Sequence, residues 1–172
     1  LIHCAAGGVG LAAIQYAKRV GAEIFATASP PKHAYLRSLG IKHISTSRDS
    51  EIFGREMTSA LNNRQFDVVL NTLTSGNYIK ESVGMVANKG RFVELSKRNI
   101  WSEKKMSEIR PDVQYITTSL NELLVYESER LMPMLEELSK AAESGFFRPL
   151  PMEVFDARAD LKSAFQRLQS GS

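Results

Sequence analysis

The chain has 172 residues, 43% hydrophobic and 24% charged, enough for one domain with a buried core. Its 22 basic and 19 acidic residues leave a net charge of +3, too balanced for a nucleic-acid surface, and no basic stripe carries interleaved aromatics. No apolar run approaches the roughly 18 residues of a membrane span. No secretory leader is read before the first strand, and the lone Cys4 cannot form an internal disulfide, which suits a reducing cytoplasm.

The predicted elements alternate. Leu1-Ile2-His3 reads as a strand end, followed by a glycine-rich turn and a helix over residues 9–20. A strand at 23–27 follows Gly21, then a helix at 32–39 stopped by Gly40, then a short strand at 43–45. Asp49 or Ser50 caps a helix that reaches about residue 62. The dense apolar run 66–70 suits a parallel strand covered on both faces. A helix at 78–86, a strand at 90–95 and a sixth strand at 114–118 complete the alternation. One long helix spans 121–144. Its Leu123, Leu124, Leu131, Met134, Leu135 and Leu138 recur at helical spacing, which predicts packing on the sheet. Repeated βα units predict an α/β fold: a doubly wound parallel sheet of Rossmann type with right-handed crossovers, in three αβα layers. The chain begins inside its first strand and ends straight after a helix, which reads as a piece of something larger. No His/Cys cluster has metal-ligand spacing.

The turn itself reads Ala5-Ala6-Gly7-Gly8-Val9-Gly10. Set against Gly-x-Gly-x-x-Gly, its first glycine is Ala5. Gly7 and Gly8 let backbone approach a pyrophosphate, Gly10 lets the helix pack on the strand, and the helix start faces the anion. The rival reading is a tight βα turn without a ligand. In an NAD-binding unit an acid sits about 20 residues further on, to hold the ribose diol. Here Thr27-Ala-Ser-Pro-Pro-Lys-His33 has no acid but offers Thr27, Ser29 and Lys32. Arg48 ends the next apolar patch. Hydroxyls and cations attract a 2′-phosphate, so NADP(H) is expected over NAD(H). The alternative is that Lys32 and Arg48 are solvated surface cations.

Residues 1–15 resemble the nucleotide-binding start of medium-chain dehydrogenase/reductases. The stretches 25–32, 45–49, 67–73, 90–100 (Gly-Arg-Phe-Val-Glu-Leu-Ser-Lys-Arg-Asn-Ile) and 146–151 narrow this. Together they resemble the enoyl reductase domain of type I polyketide synthases and animal-type fatty acid synthases. The resemblance implies NADPH-dependent reduction of a 2,3-enoyl thioester carried on an acyl carrier protein. It implies that Gly7, Gly8, Val9 and Gly10 form the pyrophosphate turn, and that Thr27, Ser29, Lys32 and Arg48 surround the 2′-phosphate. Asn71 and Leu73 pass the nicotinamide ribose, and Leu95 and Ser96 lie beside the nicotinamide. Lys97 matches the family's proposed proton donor; its rival reading is a surface cation beside Arg98.

Two departures stand out. Ser96 replaces a glycine, and Ser119 replaces the aspartate that often accompanies the lysine. A serine cannot anchor an ammonium by charge. The resemblance also implies neighbouring domains in a larger synthase, pairing of two copies through the sheet edge, and a separate substrate domain outside this chain. Alone, the chain is expected to hold NADPH weakly and reduce nothing. A quinone oxidoreductase of the same superfamily and a degenerate, non-catalytic structural unit are the alternatives.

Overall fold

The computed structural model describes residues 1–170. Its strands are β1 (Phe25–Ala28), β2 (His43–Thr46), β3 (Phe66–Asn71), β4 (Val86–Glu94) and β5 (Gln114–Thr117). Its α-helices are α1 (Gly8–Arg19), α2 (His33–Ser38), α3 (Ser50–Leu61), α4 (Tyr78–Gly84) and α5 (Glu103–Ile109). These are followed by α6 (Leu120–Tyr126), α7 (Ser128–Glu143) and α8 (Leu161–Ser170).

Ile2 forms parallel bridges to both Ala26 and Leu70 and so joins two parallel ladders into one sheet. The order is β2, β1, Ile2, β3, β4, β5. The chain therefore winds outward one way from Ile2, then returns and winds the other way. That reversal opens a crevice at the carboxyl ends of the central strands, directly after Ile2.

Two apolar cores flank the sheet. On one face Ile14 of α1 and Leu36 of α2 pack with Ile2, Ala26 and Ala28. On the other, Phe53 and Met57 of α3, Val83 of α4 and Met106 of α5 pack with Phe25, Phe66 and Phe92. The αβα layering follows from strand alternation: Phe25 and Ala26 are neighbours in sequence and face opposite cores. Asp49 caps α3, its carboxylate accepting from Glu51 and Ile52 N–H at 2.9 and 3.0 Å. Pro30 and Pro31 open a 3₁₀ turn ahead of α2, where their fixed φ suits a tight bend.

Three expectations are corrected. The helix read at 78–86 stops at Gly84, and Val86 already belongs to β4, which reaches Arg91 through an irregular register. Helix α5 has no counterpart in the sequence reading. The single helix read at 121–144 is two, broken at Glu127, where φ is −136° and ψ 34°. Val125 and Tyr126 are weak helix formers, and the break leaves Pro133 in the second turn of α7 rather than midway along a long helix. Nor does this stretch pack on the sheet: Leu124, Met134, Leu135 and Leu138 are about half exposed, and in α7 the buried residue is Ala141. Among the described residues no helix is long and apolar enough to cross a membrane.

Candidate functional site: the crevice at the carboxyl edge

The backbone after Ile2 bends sharply. Cys4 takes a φ of 50°, Gly7 N–H returns to the Cys4 carbonyl at 2.9 Å, and α1 starts at Gly8. Gly10 is where this turn touches itself. A Cβ there would lie 2.5 Å from Ala5 Cα, so the residue must be glycine for α1 to sit against the turn.

Gly7 and Gly8 are different. Both are exposed, both have ordinary φ, and a Cβ at Gly8 would meet nothing closer than a Leu150 methyl at 3.8 Å. The protein's own packing does not require glycine at either place; the open space lies over the start of α1. No side chain caps α1, and its first turn holds no acid. The helix therefore presents free N–H groups and positive dipole to that space.

A cleft of about 170 Å³ runs from this turn to the ends of β1 and β2. It gathers Cys4, Gly7, Ser29, Lys32, Arg48 and Leu73, with Ala6, Ala28 and Ser47 completing the wall. No carboxylate lines it. The nearest acid in sequence, Asp49, is committed to capping α3. The turn after β1, with Ser29 and Lys32, and the end of β2, with Ser47 and Arg48, thus bring two hydroxyls and two cations around one small opening beside a helix N-terminus. The residues fit the phosphates of a nucleotide.

The other expected residues fall elsewhere. Val9 points outward, 61% exposed. Thr27 does not face the cleft. It is fully buried, and its hydroxyl accepts from Cys4 N–H at 3.1 Å and lies 3.0 Å from His3 Nδ1. All four residues of β1 are buried, so its hydroxyl is internal, and it shapes the turn from below. Asn71 is also fully buried; its amide donates to Glu94 at 2.6 Å rather than facing solvent. Leu95 and Ser96 leave β4 half-buried, with Leu95 N–H donating to the Asn71 carbonyl at 3.0 Å. Lys97, the next residue, is exposed. Ser119 lies just past β5, at the neck of α6, half-buried and making no capping bond. Glu94 and Thr117 are register partners, so Lys97 and Ser119 emerge from neighbouring strand ends.

Among the buried polar groups not singled out in the sequence, two matter most for the site. Glu94 is one. The other is His3, completely buried between Phe53 and Tyr78, with Nε2 2.8 Å from Ser82 Oγ. Burial lowers its pKa to about 3, so the ring is neutral. His3 and Thr27 together fix the floor of the glycine turn. Neither was legible as a pair, because 24 residues separate them.

The strand order, the glycine turn at its switch point and the uncapped α1 define a dinucleotide-binding domain of the dehydrogenase type. Residues 8–140 match the zinc-binding dehydrogenase family, and the chain belongs to that family, in its polyketide synthase enoyl reductase branch. The mycoketide-CoA synthase of Mycobacterium tuberculosis is 39% identical over 160 residues, which is 92% of this chain and 4% of that protein. The nucleotide-binding subdomain of the enoylreductase domain of PpsC, also from M. tuberculosis, superposes with a TM-score of 0.76 at 29% identity, over 87% of this chain and 84% of that one. The CurF ER cyclopropanase of the curacin A pathway superposes with a TM-score of 0.92 at 39% identity, over 98% of this chain and 50% of that chain. The chain thus spans half of that solved relative and a small fraction of the synthase. Despite the family's description, no group of three or more His, Cys, Asp or Glu among the described residues is placed to hold a metal ion.

Proposed function

We propose that this chain is the NADPH-binding half of an enoyl reductase that reduces the 2,3 double bond of an enoyl thioester on an acyl carrier protein. The observation that carries the cofactor reading is the composition of the cleft: Ser29, Lys32 and Arg48 around one opening with no carboxylate in its wall. A free ribose diol is best held by an acid; a 2′-phosphate is repelled by one and drawn by cations and hydroxyls. The glycine turn and the start of α1 take the pyrophosphate, Gly7 and Gly8 leaving room for it. When bound, the dihydronicotinamide supplies a hydride to the β-carbon of the enoyl thioester.

The chain's own part is orientation and charge. Lys97, at the ligand edge of β4, holds a proton on Nζ for the α-carbon and offsets the negative charge that develops on the thioester oxygen. Ser119 has no charge with which to anchor that ammonium, so Lys97 stands without an acidic companion there. The substrate domain lies in the remainder of a longer synthase, and the chain by itself binds NADPH and turns nothing over.

A second reading has one observation behind it. A relative at 39% identity is named a cyclopropanase, so closely similar folds accompany different reactions. The reductase containing this chain, incubated with NADPH and a crotonyl thioester, is expected to give the saturated thioester. Quinone reduction in its place would select the quinone oxidoreductase alternative, and no NADPH binding at all would select the non-catalytic scaffold.

A further inference from the structure

Glu94 is the last residue of β4, and its side chain is completely buried. A carboxylate taken out of water costs several kcal/mol unless donors surround it. Here each oxygen has one. Asn71 Nδ2 donates to Oε2 at 2.6 Å, and Ser96 N–H donates to Oε1 at 2.8 Å. Asn71 and Glu94 are direct register partners on adjacent strands. The Asn71 side chain does double duty, because its Oδ1 accepts from Leu73 N–H at 3.3 Å. One carboxylate therefore ties the segment leaving β3 to the segment leaving β4. The orphaned buried side-chain atom among the described residues, Thr72 Oγ1, lies within that same tied segment.

Packing alone does not ask for a carboxylate here. Phe92, two residues earlier and on the same face of β4, is apolar and just as buried. What the carboxylate does, and an apolar side chain or an amide does not, is accept an N–H on each of two separate terminal oxygens. We propose that Glu94 is a positioning residue: through Asn71 and Ser96 it sets the two strand-end segments against which the nicotinamide half of the cofactor lies. This rests on the cofactor reading above. The adenosine half, held by Ser29, Lys32 and Arg48, does not depend on Glu94.

The test separates the two halves. Binding of NADPH and of adenosine 2′,5′-bisphosphate is measured by calorimetry on the 172-residue chain and its variants. In Glu94→Gln the amide must turn a donor toward one of the two donors, Asn71 Nδ2 or Ser96 N–H. NADPH binding is expected to weaken about tenfold, and the bisphosphate to bind within about twofold of wild type. The double variant Asn71→Asp with Glu94→Gln restores each donor–acceptor pair with the sense of one bond reversed. It is expected to recover NADPH binding to within about threefold. Should Glu94→Gln not fold, Asn71→Ala, which keeps the Ser96 bond, carries the same expectation. NADPH binding unchanged in the single variants, or both ligands weakened in proportion, overturns the proposal; so does a folded double variant that recovers nothing. A wild-type chain that binds the bisphosphate but not NADPH also overturns it. A wild-type chain that binds neither removes the cofactor reading itself, a distinct outcome.

Discussion

The two ends of the crevice are built on opposite plans. At the end proposed for the adenosine, the groups lining the opening are accessible side chains, Ser29 and Lys32 on the turn after β1 and Arg48 past the end of β2. At the end proposed for the nicotinamide, the polar side chains Asn71 and Glu94 are sealed inside and hold backbone in place. On the proposed reading, charge selects at one end, and backbone position is what the other end fixes. A phosphate is recognised by cations that adjust to it, whereas a ring that passes hydride must lie against a wall that does not move.

The glycine turn serves both ends, and it offers the largest effect. Gly10→Ala puts a Cβ within 2.5 Å of Ala5 backbone, which is expected to destabilise the fold by about 3 kcal/mol or more. Gly8→Ala meets only a methyl at 3.8 Å, so the chain should melt close to wild type. It should nevertheless lose NADPH binding, because the added methyl fills the space meant for the pyrophosphate. Thermal melts with and without NADPH distinguish the two variants. Gly8→Ala melting as low as Gly10→Ala would mean that the turn is a structural feature alone.

Next in size is the adenosine end. Replacing Lys32 and Arg48 together by alanine should cut the preference for NADPH over NADH by about 10- to 100-fold, the lower bound allowing for solvent screening of exposed Arg48. Competitive titration with the two coenzymes reads this directly. A preference left unchanged by the double substitution would return both cations to the solvated surface.

Smaller, and located beneath the turn, is a pH effect. The unfolded chain carries His3 at its ordinary pKa of 6.5, while burial holds it at about 3 in the fold. Between those values the unfolded chain binds a proton that the folded chain refuses. Above pH 6.5 His3 contributes nothing to the pH dependence. Stability should fall as the pH drops from 6.5 toward 3, by about 1.4 kcal/mol per pH unit from this group. Denaturant melts at pH 7 and pH 5 check it, and His3→Gln should flatten that slope. An acid profile unaltered in the variant would show that other groups set it.

How much of this was legible in the sequence depends on how local the signal is. The αβα order and the glycine turn are local patterns, and Ser29 and Lys32 follow β1 within four residues, so all were readable. Thr27 was misjudged for a related reason. In a strand buried on both faces nothing in the sequence says which hydroxyl is internal, and the tertiary pairing with His3 decided it. The Asn71–Glu94 pair was invisible because it depends on strand register across 23 residues. Helix α5 was missed because its seven residues, Glu103–Ile109, bury a single apolar side chain, Met106. The stretch 121–144 carried a good helical period, but the period did not reveal the break at Glu127 or that Leu124, Leu135 and Leu138 would stand exposed.

The central claim, that the cleft accepts a 2′-phosphorylated adenosine, can be read at the chain's single cysteine. Cys4 is a free thiol in the wall of the cleft with Lys32 and Arg48. Its alkylation rate should drop sharply with adenosine 2′,5′-bisphosphate and far less with 5′-AMP at the same concentration. Equal protection by the two nucleotides, or protection by neither, would contradict the account.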